Sequence, residues 1–255
     1  MKQKRRLYDL MLDLGLALSK EEAQGLIMSG KVYNDKGQRL EKSGENFSID
    51  TNLIIKNNKS LYVSRAGDKL AHALKTFSIH VDGLVFLDIG ASTGGFTDCL
   101  LQHNAKHVFA VDVGYGLIDS KLRSNPRVSL LERINARNLT RQQLLEKSAR
   151  AQKIDSLVMD VSFISIDKLV EPLSAVFPEI RDWVFLFKPQ FEVEKKDVLD
   201  GGVIRSEEVL KKAQANFETY MSGLGFKLLQ PPSSSPVAGK KSGNVEYLYH
   251  YEKRS

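Results

Sequence analysis

The stretch Leu87-Asp88-Ile89-Gly90-Ala91-Ser92-Thr93-Gly94-Gly95-Phe96 constrains this chain more than any other. An apolar run, Leu84-Val85-Phe86, leads into it, and a helix-like segment, Thr97-Asp98-Cys99-Leu100-Leu101, leaves it. The pattern predicts a buried strand, a glycine-rich turn and a helix. Glycine has no Cβ, so such a turn lets backbone N–H groups and a positive helix end approach a ligand closely. A second apolar run, Val108-Phe109-Ala110-Val111-Asp112, predicts another strand. Its acidic end stands about twenty residues beyond the turn, where a carboxylate accepts hydrogen bonds from ribose hydroxyls. The glycines fit neither G-x-G-x-x-G nor the phosphate loop G-x-x-x-x-G-K-[ST]. S-adenosylmethionine matches better, because its carboxylate needs N–H donors and it carries no phosphate. The expected cofactor set is Asp88, Gly90, Ala91, Ser92, Thr93, Gly94, Gly95, Phe96 and Asp112, with Asn135 near the adenine and Asp160 at a neighbouring strand end. A purely structural turn is the competing reading.

From residue 60 onward, strands and helices alternate. Strands are expected at Val85–Ile89, Val108–Val113, Val128–Leu131, Leu157–Val161 and Val184–Phe187, with a helix through Ser206–Tyr220. Alternation of this kind argues for an α/β fold, a parallel sheet with helices on both faces. Near the C-terminus, Phe226–Leu229 and Val245–Tyr249 have no helix-length apolar pattern between them. They predict an antiparallel pair joined by a basic loop that includes Gly239-Lys240-Lys241-Ser242-Gly243.

The first sixty residues have a different texture. Leu7, Leu10, Met11 and Leu14 repeat at helical spacing up to Gly15. Ser19-Lys20-Glu21-Glu22 reads as a capping box opening a second helix through Ala23, Leu26 and Ile27, which stops at Gly30. Short strands are expected at Lys31–Asn34, around Phe47–Ile49 and at Leu53–Ile55, with a turn at Lys36-Gly37. Arg5, Arg6, Lys20, Lys31, Lys36 and Arg39 give this segment a cationic face. The run "RRLYDLMLDLGLALSKEEAQGLIMSGKVYNDKGQ" resembles the small RNA-binding domain named after a ribosomal small-subunit protein. It departs from that module's "G-x-V-x-V-N-G" ending, but Asn, Asp and Gly keep the turn chemistry. Asn57–Ser60 is a polar break, which predicts an RNA-binding domain at 1–59, a linker at 60–66 and a second domain at 67–255.

A net charge of +6 favours an anionic partner, with RNA first. No apolar run approaches the ~20 residues of a spanning helix. The basic start is followed by two aspartates instead of an apolar signal core, so the chain is read as cytoplasmic, with no membrane insertion and no DNA partner expected. The single cysteine, Cys99, excludes an internal disulfide, and no metal site is expected.

Ligands of open α/β sheets bind at the carboxyl ends of the strands. Asp160 and Lys188 end two expected strands, Lys69 opens the helix before the first strand, and Glu246 lies in the last strand. Taken singly, Asp160 reads as a strand-end cap and Lys188 as a lysine snorkelling to solvent. Together the four resemble the Lys-Asp-Lys-Glu tetrad of FtsJ-type ribose 2′-O-methyltransferases. "VSRAGDKL", "LDIGASTGGFTDCLL", "AVDVGYG", "DVSFIS", "KPQFE", "GGV" and "GNVEYL" occur in the order found in the TlyA/hemolysin A family, and the resemblance covers nearly the whole chain. It implies a Rossmann-like methyltransferase sheet with an antiparallel last strand, fused to a small α+β N-terminal RNA-binding domain. It also implies 2′-O-methylation of ribosomal RNA at cytidine, with Lys69, Asp160, Lys188 and Glu246 catalytic and Arg65 beside the RNA. Ala66 stands where the family pattern has glycine, and a methyl group there is tolerated unless the backbone needs positive φ. Three readings compete: a non-catalytic RNA-binding or ribosome-assembly factor, a membrane-lytic protein, and a base methyltransferase. The last would need an Asn/Asp-Pro-Pro-aromatic motif or a nucleophilic cysteine where this chain has Asp160-Val161-Ser162-Phe163.

Overall fold

The computed structural model describes residues 4–35, 37–55, 61–199, 202–236 and 244–254. The expected Lys36 contact, the polar break at 57–60 and the basic loop at 239–243 lie outside them.

The N-terminal segment runs β1 (Lys4–Arg6), α1 (Leu7–Asp13), α2 (Lys20–Met28), β2 (Val32–Asn34), β3 (Asn46–Ser48) and β4 (Leu53–Ile55). β1 pairs antiparallel with β3, and β2 with β4. Leu7, Leu10, Met11, Ala23, Ile27, Val32, Leu40 and Leu53 form a core of their own. Leu14 caps α1 and is exposed instead of continuing its apolar face. At α2, the Ser19 hydroxyl accepts from Glu22 N at 3.1 Å, but the Glu22 carboxylate accepts from Leu18 N instead of Ser19 N. Only half of the expected capping box forms. Strand β1 went unforeseen because three basic residues carry no apolar alternation.

The remainder runs α3 (Arg65–Thr76), β5 (Val85–Ile89), α4 (Gly95–Gln102), β6 (His107–Asp112), α5 (Ser120–Arg123), β7 (Val128–Glu132), α6 (Arg141–Leu145) and β8 (Ser156–Met159). It continues through α7 (Asp167–Val176), β9 (Asp182–Phe187), α8 (Pro189–Glu192), α9 (Glu207–Gly223), β10 (Phe226–Leu228), β11 (Ser233–Ser234) and β12 (Tyr247–Lys253). The sheet order is β10-β12-β9-β8-β5-β6-β7, with β11 added beside β12. Strands β5 to β9 pair in parallel, while β12 is antiparallel to both β9 and β10. This is a Rossmann-like α/β sheet. Alternate residues of each strand serve opposite layers. Val85, Leu87 and Ile89 join the core under α6, α7 and α9, while Phe86 joins the one under α3, α4 and α5.

The chain moves outward from β5 to β6 and β7, then returns to β8 on the other side. A crevice therefore opens at the carboxyl ends of β5 and β8, the place where such sheets bind ligands. Two boundaries there differ from the sequence expectation. β8 stops at Met159, so Asp160 and Val161 belong to the loop that splays away at this switch. Glu246 precedes β12 instead of lying in it: the ladder to β9 begins with Tyr247 opposite Phe187, and Pro189 turns the chain into α8 directly after Lys188. The linker expected at 60–66 is also shorter, because Ser64 caps α3 and Arg65 and Ala66 are already helical. Among the described residues no helix is long and apolar enough to cross a membrane.

Candidate active site

The glycine turn has the backbone that its composition suggests. Gly90, Ser92 and Gly94 have φ of 83°, 51° and 90°, in the left-handed region that costs glycine nothing. A Cβ on Gly90 would lie 2.6 Å from the Asp160 carbonyl oxygen, so β5 and β8 can close on one another only over a glycine. At Gly95 a Cβ would lie 2.3 Å from Ser64 Oγ and 2.8 Å from the Ala66 methyl, so α3 docks directly on the first residue of α4. Ala66 sits in ordinary helical backbone, and its methyl group is accommodated.

Around this turn lies a cleft of about 440 Å³. Its walls include Gly90, Ala91, Ser92, Thr93, Gly95 and Phe96, and also Lys69, Asp160, Lys188 and Glu246. Four residues far apart in sequence thus meet in one cavity. Lys69 is ion-paired with Glu246, and Lys188 Nζ lies 2.5 Å from Asp160 Oδ1. Lys188 Nζ also donates to Val161 O and Ser162 Oγ, both at 2.9 Å. Two hydrogen bonds and one ion pair thus hold the ammonium in place. Lys69 and Lys188 are each only 8% exposed and Glu246 4%, so Lys188 is buried and does not snorkel. Asn244 supports the Glu246 side by accepting from Ile204 N at 3.0 Å and donating to Gly202 O at 2.7 Å. This joins the "GGV" and "GNVEYL" segments.

The comparisons with known proteins bear directly on this cavity. Residues 62–253 match the model of the family described as FtsJ-like methyltransferase. Hemolysin A of Brachyspira hyodysenteriae is 39% identical over 246 residues, covering 96% of this chain and 99% of that protein. The 16S/23S rRNA (cytidine-2′-O)-methyltransferase TlyA of Mycobacterium tuberculosis is 42% identical over 240 residues, covering 92% of this chain and 84% of that one. A solved structure from Streptococcus thermophilus, named a hemolysin, is 35% identical, covers all of this chain and 90% of its own, and superposes with a TM-score of 0.73. The chain belongs to the FtsJ-like methyltransferase family.

In this FtsJ-like methyltransferase some expected cofactor residues lie outside the cleft. Asp88 is fully buried and accepts from Thr97 Oγ1 at 2.6 Å, so it ties β5 to α4. Asp112 accepts from Ser92 N and Gly114 N, both at 2.7 Å, and thereby organises two loops. Asn135 caps a 3-10 turn by accepting from Arg137 N at 3.0 Å. Gly94 caps α4, and its missing Cβ leaves room for Leu122. Cys99 is buried, and burial pushes its thiol pKa up to about 12, which leaves no nucleophile there.

The cleft has walls that sequence reasoning missed: Ser162 and Phe163 after β8, Gln190 and Phe191 in α8, Gly202, and Ile27, Met28 and Glu41 from the N-terminal segment. The "DVSFIS", "KPQFE" and "GGV" motifs were signals for the first three groups. Nothing in the sequence pointed to the last.

The cationic residues scatter. Arg5 and Arg6 are exposed on β1, where Arg5 pairs with Asp13 at 3.5 Å and Arg6 donates to the Tyr8 hydroxyl at 2.9 Å. Lys20 lies over the Tyr8 ring, 4.9 Å from its centroid. Lys31 is half-buried before β2, Arg39 is ion-paired with Glu41, and Arg65 lines the cleft.

Proposed function

We propose that this methyltransferase moves the methyl group of S-adenosylmethionine onto a ribose 2′-hydroxyl of ribosomal RNA, at cytidine. The observation that carries the reading is the pair of buried lysine–carboxylate couples set beside the glycine turn. The cofactor fits the Gly90–Phe96 wall: a glycine-lined cradle offers backbone N–H donors to its carboxylate, and the cleft volume suits a ligand of that size. When bound, it supplies a methyl group already made electrophilic by positive sulfur.

The protein's task is then alignment and charge. Lys188, fixed by Asp160, Val161 O and Ser162 Oγ, orients the hydroxyl oxygen toward the methyl group and stabilises negative charge on it as the O–CH3 bond forms, the S–CH3 bond breaks and the hydroxyl proton passes to water. Lys69, held by Glu246, adds a second ammonium to the cavity wall. The carboxylates place the two amines and keep the site near neutrality. Residues 1–59 serve as the RNA-binding domain and 67–255 as the catalytic one. Arg5, Arg6, Lys20, Lys31, Lys36 and Arg39 contribute phosphate contacts, which dominate affinity for RNA. The TlyA relative, by its name, supports cytidine. A ribosomal RNA substrate supports a cytoplasmic location.

In single-turnover assays with a radiolabelled donor, Lys188→Ala is expected to lose methyl transfer while still binding S-adenosylhomocysteine and RNA. Lys188→Arg is expected to fail too, because a planar guanidinium cannot replace a compact ammonium in this socket. A Lys188→Ala protein with near-wild-type rate would overturn the assignment.

A further inference from the structure

Arg65 is the one cleft-lining cation, among the described residues, without a carboxylate of its own. Lys69 has Glu246 and Lys188 has Asp160, while Arg39 behind the wall has Glu41. Among the described residues Arg65 has no hydrogen-bond or ion-pair partner, and its Nε is buried. It opens α3 one turn before Lys69, so the two side chains share a helix face. Its electrostatic neighbours are Arg39, Glu41, Tyr33 and Glu246, so it stands where the N-terminal segment meets the catalytic cavity. Burial, and then the charge of Arg39, lower its pKa. A half-buried guanidinium beside a like charge is costly unless an anion joins it.

We propose that Arg65 is an oxyanion-binding residue of the cleft, an inference that rests on the methyltransferase reading above. Its forked donors suit a two-oxygen acceptor. Two sources fit that chemistry. One is the phosphodiester flanking the methylated ribose, delivered along the N-terminal segment past Arg39. The other is the donor's carboxylate, since Ser64 and Ala66, the neighbours of Arg65, abut Gly95 at the start of α4.

The test compares wild type, Arg65→Ala and Arg65→Lys, each shown folded by its thermal transition. Calorimetry uses S-adenosylhomocysteine and methylthioadenosine, which lacks the amino-acid carboxylate. Binding of a ribosomal RNA transcript is measured as a function of salt. If the carboxylate is the ligand, Arg65→Ala loses about ten-fold or more in affinity for S-adenosylhomocysteine and nothing for methylthioadenosine, a loss of the size expected for one charge-assisted contact. If the phosphate is the ligand, both nucleosides bind as in wild type, RNA affinity falls, and the slope of log affinity against log salt drops by about 1. Arg65→Lys keeps the charge without the fork and recovers part of either loss. Unchanged affinity for S-adenosylhomocysteine together with an unchanged RNA salt slope would overturn the proposal, as would equal losses for both nucleosides. A wild-type protein that binds these ligands but never methylates RNA would count against the function and leave the Arg65 comparison readable.

Discussion

Two buried carboxyl groups set how the molecule responds to pH. Asp88, under the glycine turn, and Glu192, at the end of α8, are both pushed up to about 7, chiefly by burial. Hydrogen bonds oppose the shift without cancelling it: Thr97 donates to Asp88, and the Ser165 hydroxyl and Ile166 N donate to Glu192. Each is protonated in the folded protein at pH values where the unfolded chain has already released its proton. Their contribution to stability is therefore full below about pH 4 and is lost as pH rises through about 7. Urea unfolding at pH 5 and pH 7.5 is expected to show this fall, of order a few kcal/mol at most. Asp88→Asn and Glu192→Gln, which keep the shape without the charge, are expected to flatten it. A wild-type protein no less stable at pH 7.5, or variants with the same pH dependence, would contradict the account. Glu192 also closes the loop after β8: Lys188 holds Val161 and Ser162, and Glu192, four residues later, holds Ser165 and Ile166.

At the scale of elements, the β5–turn–α4 unit governs the site. Gly90→Val places a branched side chain at φ of 83° and drives its Cβ against Asp160 O. Strain of about 1–3 kcal/mol follows from the backbone alone. The β5–β8 crevice must then open, so binding of S-adenosylhomocysteine is expected to fall sharply; unchanged affinity in a folded variant would remove the cofactor from this turn. This unit was legible in the sequence because apolar runs bounded by glycines leave few local alternatives, and β5 has the expected bounds. Asp112 was legible as a strand end. Spacing reports where a carboxylate stands, but not that one oxygen also accepts from Ser92 N and the other from Gly114 N, which leaves lone pairs on both for a ligand's hydroxyls. Ser162, Phe163, Gln190 and Phe191 were missed for a related reason: the first two sit in irregular backbone and the last two in a single helical turn, too short for any periodicity to betray which side chains face inward.

At the scale of the whole molecule, the two parts share the cavity. Ile27, Met28 and Glu41 line the cleft, and a Cβ on Gly116 would lie 2.7 Å from Glu21 Cγ, so α2 rests against the loop after β6. Sequence texture showed two parts but not their contact, which depends on α2 presenting Glu21 and Gly25 to a loop more than ninety residues away in the chain. A sequence-based account expects removal of the residues before Asn57 to weaken RNA binding and spare the cofactor. The shared wall changes that expectation: the truncated protein should lose affinity for S-adenosylhomocysteine as well, as calorimetry would show, and intact affinity would mean the wall is dispensable. The central claim is that two buried lysine–carboxylate couples beside a glycine turn methylate ribosomal RNA at a cytidine 2′-hydroxyl. Its most direct test is nucleoside mass spectrometry of ribosomal RNA from cells lacking the gene, complemented with wild type or Lys188→Ala. Restoration of 2′-O-methylcytidine by wild type alone is the predicted result; equal levels in all three strains, or a methyl group found on a base, would contradict it.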